Sequence, residues 1–206
     1  MKGCGGRWQR RIHDDRAVPA PADRSGRGSN WLALARSREV LVVAGGTDAT
    51  ADLVDAMAAE HPAVRCIRNP DDRGKGHAIR VGIAHAVAPI HAQIDADLQF
   101  LPEELPRLAD PIRRGEADVV LGTRFRAGST RLPGSTPMVR TLGNKAVSAF
   151  ASLLFGRRMT DVQAGMKAWG ADAMRAIAIG ADNYSYEVEI PAKALLRGLR
   201  VAEVPV

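Results

Sequence analysis

The chain has 206 residues, 46% of them hydrophobic, enough to bury one core of ordinary size. Its 29 basic against 23 acidic residues leave a net charge of +6 and an isoelectric point near 9.9, which suits an anionic partner: nucleic acid, a phosphorylated small molecule or an anionic membrane face. Two cysteines, Cys4 and Cys66, make neither a disulfide framework nor a zinc spacing, no run of about 18 apolar residues marks a membrane span, and the basic start lacks the apolar segment of a secretory signal.

Residues 1–38 are rich in Arg, Gly, Pro and Asp and carry almost no periodic apolar signal, so a poorly ordered or atypical N-terminal segment is expected there. Order is expected from EVLVVA (39–44), a β-branched run suited to a strand buried on both faces. A helix should follow GGTDAT. Asp48 or Thr50 can cap it, Leu53, Val54, Met57 and Ala58 form its stripe, and Pro62 lies beyond its end. VRCI (64–67) reads as a second strand, with Cys66 as a small buried residue. NPDDRGKG (69–76) reads as a loop, and 77–87 as a helix with Ile79, Ile83 and Val87 on one side. AQID (92–95) is the third expected strand.

Residues 101–115 read as a helix: Pro102 suits its first position, Glu103 and Glu104 suit its positive end, and Gly115 closes it. DVVLG (118–122) reads as a fourth strand. A long loop then leads to a helix from about Pro137 to Phe155, with Gly156 as its cap. AGMKAW (164–169) reads as a strand, followed by helices over 171–179 and 184–197, the second interrupted by Pro191. RVAEVPV is the last strand. Strands alternating with helices imply an α/β sheet with mostly parallel strands, and right-handed crossovers gather the loops after the strands on one edge, where ligands bind.

HAQIDADLQF (91–100) poses the chemical question. Asp95 and Asp97 point the same way if the strand stays extended, roughly 6–7 Å apart, and like charges at that spacing raise each other's pKa unless a cation sits beside them. A solvated turn, an acid/base pair, and a site for a hard divalent cation helped by the amide oxygen of Gln99 all fit this spacing.

DADLQ, with GKG (74–76) before it and GTR (122–124) after it, resembles the family 2 glycosyltransferases of the GT-A fold. The branch it looks like is that of dolichyl-phosphate mannose synthase and related polyprenyl-phosphate sugar transferases. DVQAGM (161–166) and YEVEIPAKALLRGLRVAEVPV (186–206) are further echoes, and the resemblance covers about 39–206. It implies a GT-A, Rossmann-like three-layer sandwich with a mostly parallel central sheet. It further implies an inverting transfer of a hexose from a nucleotide diphosphate sugar to a polyprenyl phosphate, with Mg²⁺ or Mn²⁺ neutralising the diphosphate. Asp97 and Gln99 match direct metal ligands, and Asp95 matches a residue acting through water or the ribose. Arg124 matches a cation facing the phosphates, Arg140 a second one, and Lys75 a contact to the nucleotide. Asn144 resembles a polar position of that branch.

An anionic lipid phosphate needs no strong general base, whereas a hydroxyl acceptor does, and Asp161, Glu187 and Glu189 are the candidates for that. The pattern departs from the family in three places. No P-x-x-N-E type segment stands in residues 1–38. VVAGGTDAT (42–50) has Ala44 and Gly45 where paired aspartates meet the nucleotide base, leaving Asp48 as the candidate contact there. The match also ends at Val206, where relatives continue into amphipathic or membrane-spanning segments. A chain incomplete at both ends, with an open central sheet edge that NWLALAR (30–36) partly covers, is therefore expected. So is a rival reading as a non-catalytic remnant. Peripheral contact at the cytoplasmic face of a membrane is expected. Nucleic acid is not, because no stacking aromatics accompany the arginines. The absence of a Q-x-x-R-W segment argues against a processive polysaccharide synthase.

Overall fold

The structure is a computed structural model that describes residues 39–95, 100–129 and 138–206; the expectations for residues 1–38 and for Asp97 and Gln99 lie outside these. The elements in chain order are β1 (Val40–Ala44), α1 (Thr50–Glu60), β2 (Val64–Arg68), α2 (Lys75–His85) and β3 (Ile90–Gln93), then α3 (Leu105–Arg113), entered by a 3₁₀ turn at Pro102–Glu104. There follow β4 (Val119–Thr123), α4 (Met138–Leu154), β5 (Lys167–Gly170), α5 (Ala171–Ile177), α6 (Tyr186–Leu196) and β6 (Val201–Pro205).

The strands form two sheets. β1 and β2 pair in parallel, and a second sheet runs in the order β3-β5-β4-β6. Only β5 runs against its neighbours; β4 and β6 are parallel. β4 is one of the two interior strands of this sheet, and all five of its residues are buried. Its alternation sorts the core into layers. Val119 and Leu121 join Trp169, Ile177, Tyr186, Ile190 and Val201 on one face. Val120 joins Phe100, Leu108, Met166 and Val206 on the other.

Among the described residues β1 pairs only with β2, and β3 only with β5. β1 is correspondingly only partly buried along most of its length, not closed on both faces. Helix α2 bridges the two sheets: Ile79 and Ile83 pack into the larger core, and a Cβ at Gly82 would lie 3.3 Å from Val43 Cγ2.

Several expected boundaries shift. β3 ends at Gln93, so Asp95 stands past the strand, because backbone pairing with β5 stops at the Gln93–Lys167 step. α2 begins at Lys75, so the second half of GKG is helix, not loop. Val87 lies beyond that helix and is exposed. In α1 the buried pair is Ala51 and Val54, while Leu53 points to solvent. Cys66 is half-buried. α6 runs through Pro191 without interruption, and Pro191 is buried within it.

Candidate active site

The tip of β3 is fixed from behind. Gln93 is buried, and its Nε2 donates to Tyr186 Oη at 2.6 Å and to the Gly165 carbonyl at 3.2 Å. Two residues on, the Asp95 carboxylate lies flat against Gly165. A Cβ at residue 165 would sit 2.1 Å from Asp95 Oδ2, so any side chain there would push this carboxylate out of its place, which gives the glycine of DVQAGM a physical reason.

Lys75 supplies the cation beside Asp95. Its Nζ is 2.7 Å from Asp95 Oδ2 and 2.8 Å from Glu187 Oε1, with the rings of Tyr184 and Tyr186 at 5.2 and 5.7 Å. Lys75 and Asp95 keep 21% and 23% of their side chains exposed, so this group remains in reach of solvent. Burial pulls the Lys75 ammonium down, but Tyr186, Glu187 and Asp95 outweigh it and hold it above the usual lysine range. Burial also pushes the Tyr186 phenol up, and Glu187 and Asp95 add to that against Lys75.

The glycines around Lys75 make its placement possible. Gly74 adopts φ +123°, a left-handed conformation that side chains rarely tolerate. A Cβ at Gly76 would lie 2.2 Å from the Ala181 carbonyl oxygen. His77 N donates to the Asp182 carbonyl at 3.1 Å, and Arg80 binds the Ala181 carbonyl at 2.8 Å and pairs with Asp182. The start of α2 is thereby lashed to the segment leading into α6, which carries Glu187.

Arg124 follows β4 and is clamped by Asp161. Its Nε and Nη2 reach the two carboxylate oxygens at 2.8 and 3.0 Å, and its backbone N–H donates at 3.1 Å. Asn144 of α4 donates to the same carboxylate at 2.6 Å, and Ser148 Oγ donates to Asn144 Oδ1 at 3.2 Å. Asp161 is fully buried. Behind it, Glu203 accepts from the N–H and Oγ1 of Thr160 at 2.7 and 2.9 Å and from the Asp161 N–H at 3.2 Å. Burial opposes the Arg124 charge, but Asp161 first, then Glu187 and Asp95, hold its pKa above the usual arginine value. Arg124 therefore shares one electrostatic field with the Lys75 group.

Lys167 on β5 lies under this field. It is fully buried, and its Nζ donates to the Ala164 carbonyl. Burial lowers its pKa to about 8, while Glu187, Asp161 and Asp95 pull the other way. Three carboxylates, Asp95, Asp161 and Glu187, are thus balanced by Lys75, Arg124 and Lys167.

At the end of β1, a Cβ on Gly45 would meet Asp72 Cβ and Cγ at 2.5 Å, so the carboxylate missing from position 45 has a neighbour's carboxylate against it. Asp72 Oδ1 accepts from Gly74 N at 3.1 Å. Asp48 is exposed; its Oδ1 accepts from Thr50 N at 3.0 Å, which holds its pKa below the usual range. Arg140 lies in the first turn of α4. The sequence reading did not find Lys167, Asp72 or the pairing of Glu187 with Lys75. No local signal marks a pair of residues separated by 112 positions.

The sequence profile of Glycosyl transferase family 2 matches residues 33–161. This chain belongs to that family. The family 2 domain is 33% identical over 179 residues to an undecaprenyl-phosphate mannosyltransferase of Micrococcus luteus, covering 82% of this chain and 70% of that protein. It is 29% identical over 175 residues to a polyprenol monophosphomannose synthase of Mycolicibacterium smegmatis, covering 81% of this chain and 65% of that one. The fold is shared with glucosyl-3-phosphoglycerate synthase of Mycobacterium tuberculosis, crystallised with Mn²⁺, UDP-glucose and phosphoglyceric acid. There the TM-score is 0.60 at 22% identity, over 80% of this chain and 57% of that one. Among the described residues no three His, Cys, Asp or Glu side chains are placed to hold a metal ion, and no helix is long and apolar enough to cross a membrane.

Proposed function

We propose that this family 2 glycosyltransferase moves a hexose from a nucleotide diphosphate sugar onto a polyprenyl phosphate at the cytoplasmic face of a membrane, with inversion. The observation that carries the acceptor class is the state of the carboxylates. Asp161 is wholly taken by Arg124 and Asn144, Glu189 by the N–H groups of Gly180 and Ala181 and by Lys193, and Glu187 by Lys75. Each of the three candidate bases is therefore engaged, which disfavours a hydroxyl acceptor and suits one that arrives already ionised. The relatives named for undecaprenyl and polyprenol phosphates support the same class.

In this reading an acceptor phosphate oxygen attacks the anomeric carbon, and the bond to the nucleoside diphosphate breaks with its electron pair going to the diphosphate. Arg124, held in place by Asp161, faces the departing phosphates. Lys75, paired with Asp95, holds that carboxylate oriented toward the ribose or a bridging water. The donors that follow β3 in the sequence (Asp95, Asp97 and the Gln99 amide oxygen) are hard oxygens, which fit Mg²⁺ or Mn²⁺, with Asp97 and Gln99 as the expected direct ligands. Bound there, such an ion would quench the charge that develops on the leaving group.

Label from GDP-mannose or UDP-glucose should appear in lipid, and only when Mn²⁺ or Mg²⁺ is supplied. Asp97→Asn, which keeps shape and removes charge, should abolish this transfer and leave folding intact. Unchanged turnover in that variant would end the metal-site reading, and label in a water-soluble product would favour a hydroxyl acceptor. The tight Gly45–Asp72 contact favours one rival, a remnant that no longer takes the nucleotide. Titration calorimetry with GDP and UDP decides it: micromolar binding, about −8 kcal/mol, excludes the remnant.

A further inference from the structure

Helix α4 is apolar on two sides. Its inward arc mixes Val147 and Ala151, which join the core, with polar side chains: Asn144 bonds Asp161, and Ser148 and Ser152 bond Asn144, the Val162 N–H and the Met159 N–H. Its outward arc is apolar. Leu142, Phe150, Leu153 and Leu154 are 64–83% exposed, and Ala146 and Ala149 between them are exposed as well. At helical spacing these six share one face. Single exposed leucines are ordinary, but a contiguous stripe along a 17-residue helix marks a contact surface.

The rim of the stripe is cationic. Lys145 is exposed beside it, with Nζ 5.7 Å from the Phe125 ring. Phe125 in turn lines a cavity of about 320 Å³ together with Arg126, Ala127, Arg158, Thr160 and Glu203. The Glu203 carboxylate is turned to the Thr160 and Asp161 donors, and Arg126 with Arg158 outweigh its single negative charge, so the lining is net positive.

We infer that the outward face of α4 seats on an anionic bilayer. The helix lies in the interface plane, its leucines and Phe150 enter the acyl boundary, and Lys145, Arg126 and Arg158 meet lipid phosphates. At about 25 Å long, and with Asn144, Ser148 and Ser152 hydrogen-bonded on its inner arc, α4 lies on the surface rather than through it. Charge decides between occupants: a two-fold copy would set the same cationic rim against itself, whereas an anionic surface complements it. The seat rests on the membrane-face reading above and adds the surface that makes the contact.

Full-length protein should sediment with phosphatidylcholine–phosphatidylglycerol vesicles and far less with phosphatidylcholine alone. The triple variant Leu142→Gln, Phe150→Gln, Leu153→Gln should lower the bound fraction roughly tenfold or more. A Phe150→Trp variant should show a blue-shifted emission on adding anionic vesicles. Vesicle binding unchanged in the triple variant, or no shift at residue 150, overturns the seat. So does a dimer in light scattering that the triple variant dissolves while vesicle binding persists. Transfer to a short-chain, water-soluble polyprenyl phosphate is read separately. Its absence with vesicle binding intact sinks the acceptor reading and leaves the seat standing.

Discussion

Two ion-paired groups make up the candidate site, and they are built for different work. Around Arg124 the carboxylate is fully buried and saturated, with two side-chain bonds from Arg124, one from its backbone and one from Asn144. Around Lys75 the cation is shared between two carboxylates, and the group keeps part of its surface open. A saturated buried pair is expensive to break because either survivor is left as an uncompensated charge. A shared, partly wet cation can be redistributed when a ligand arrives. The first group therefore reads as a mount for Arg124, the second as the adjustable side of the site.

The largest expected effect tests the mount. Asp161→Ala should cost about 3–5 kcal/mol in urea unfolding, because it strands a buried guanidinium and the Asn144 amide. Glu187→Gln should cost less than half of that while transfer falls. Comparable losses from the two variants would erase the distinction between the groups.

Lys167 sharpens the comparison through pH. Its folded pKa, about 8, is depressed below the unfolded value near 10.5, so between these values the unfolded chain binds more protons. Wild-type stability should therefore rise relative to Lys167→Met from pH 8 to 10.5, by on the order of 3 kcal/mol, and the difference should be flat below pH 8. A flat difference across the whole range would mean that its neighbours keep the ammonium fully charged.

Lys75→Met should move stability least, by about 1–2 kcal/mol, because Lys75 and Asp95 both keep about a fifth of their side chains in solvent. It should raise the KM for the nucleotide sugar about tenfold or more and shift kcat less. An effect on kcat alone would place Lys75 with the leaving group and not with donor binding.

The order of strands and helices was legible because apolar β-branched runs such as DVVLG stand between helical repeats, and that pattern is local. The ends were less so. The apolar run of HAQID continues past the last paired residue, and only the partner strand, far off in sequence, says where pairing stops. GKG reads as a loop by composition, yet its lysine begins a helix because Gly76 can press against the carbonyl of Ala181. Asp161 and Glu187 were visible as charged residues. Their partners were not, because Arg124 and Lys75 reach them only through the tertiary fold. Asp95 was legible from the DADLQ spacing, and the need for Gly165 beside it follows only from the packed structure.

Asn144 hangs from the polar side of α4 and holds the carboxylate that grips Arg124. The helix cannot roll or slide without stretching that 2.6 Å link, so any tilt of α4 becomes a displacement of the arginine. The same rod proposed to rest on lipid is thus tied to Arg124 through one shared carboxylate, so that in the proposed reading membrane docking and the set of this guanidinium would move together.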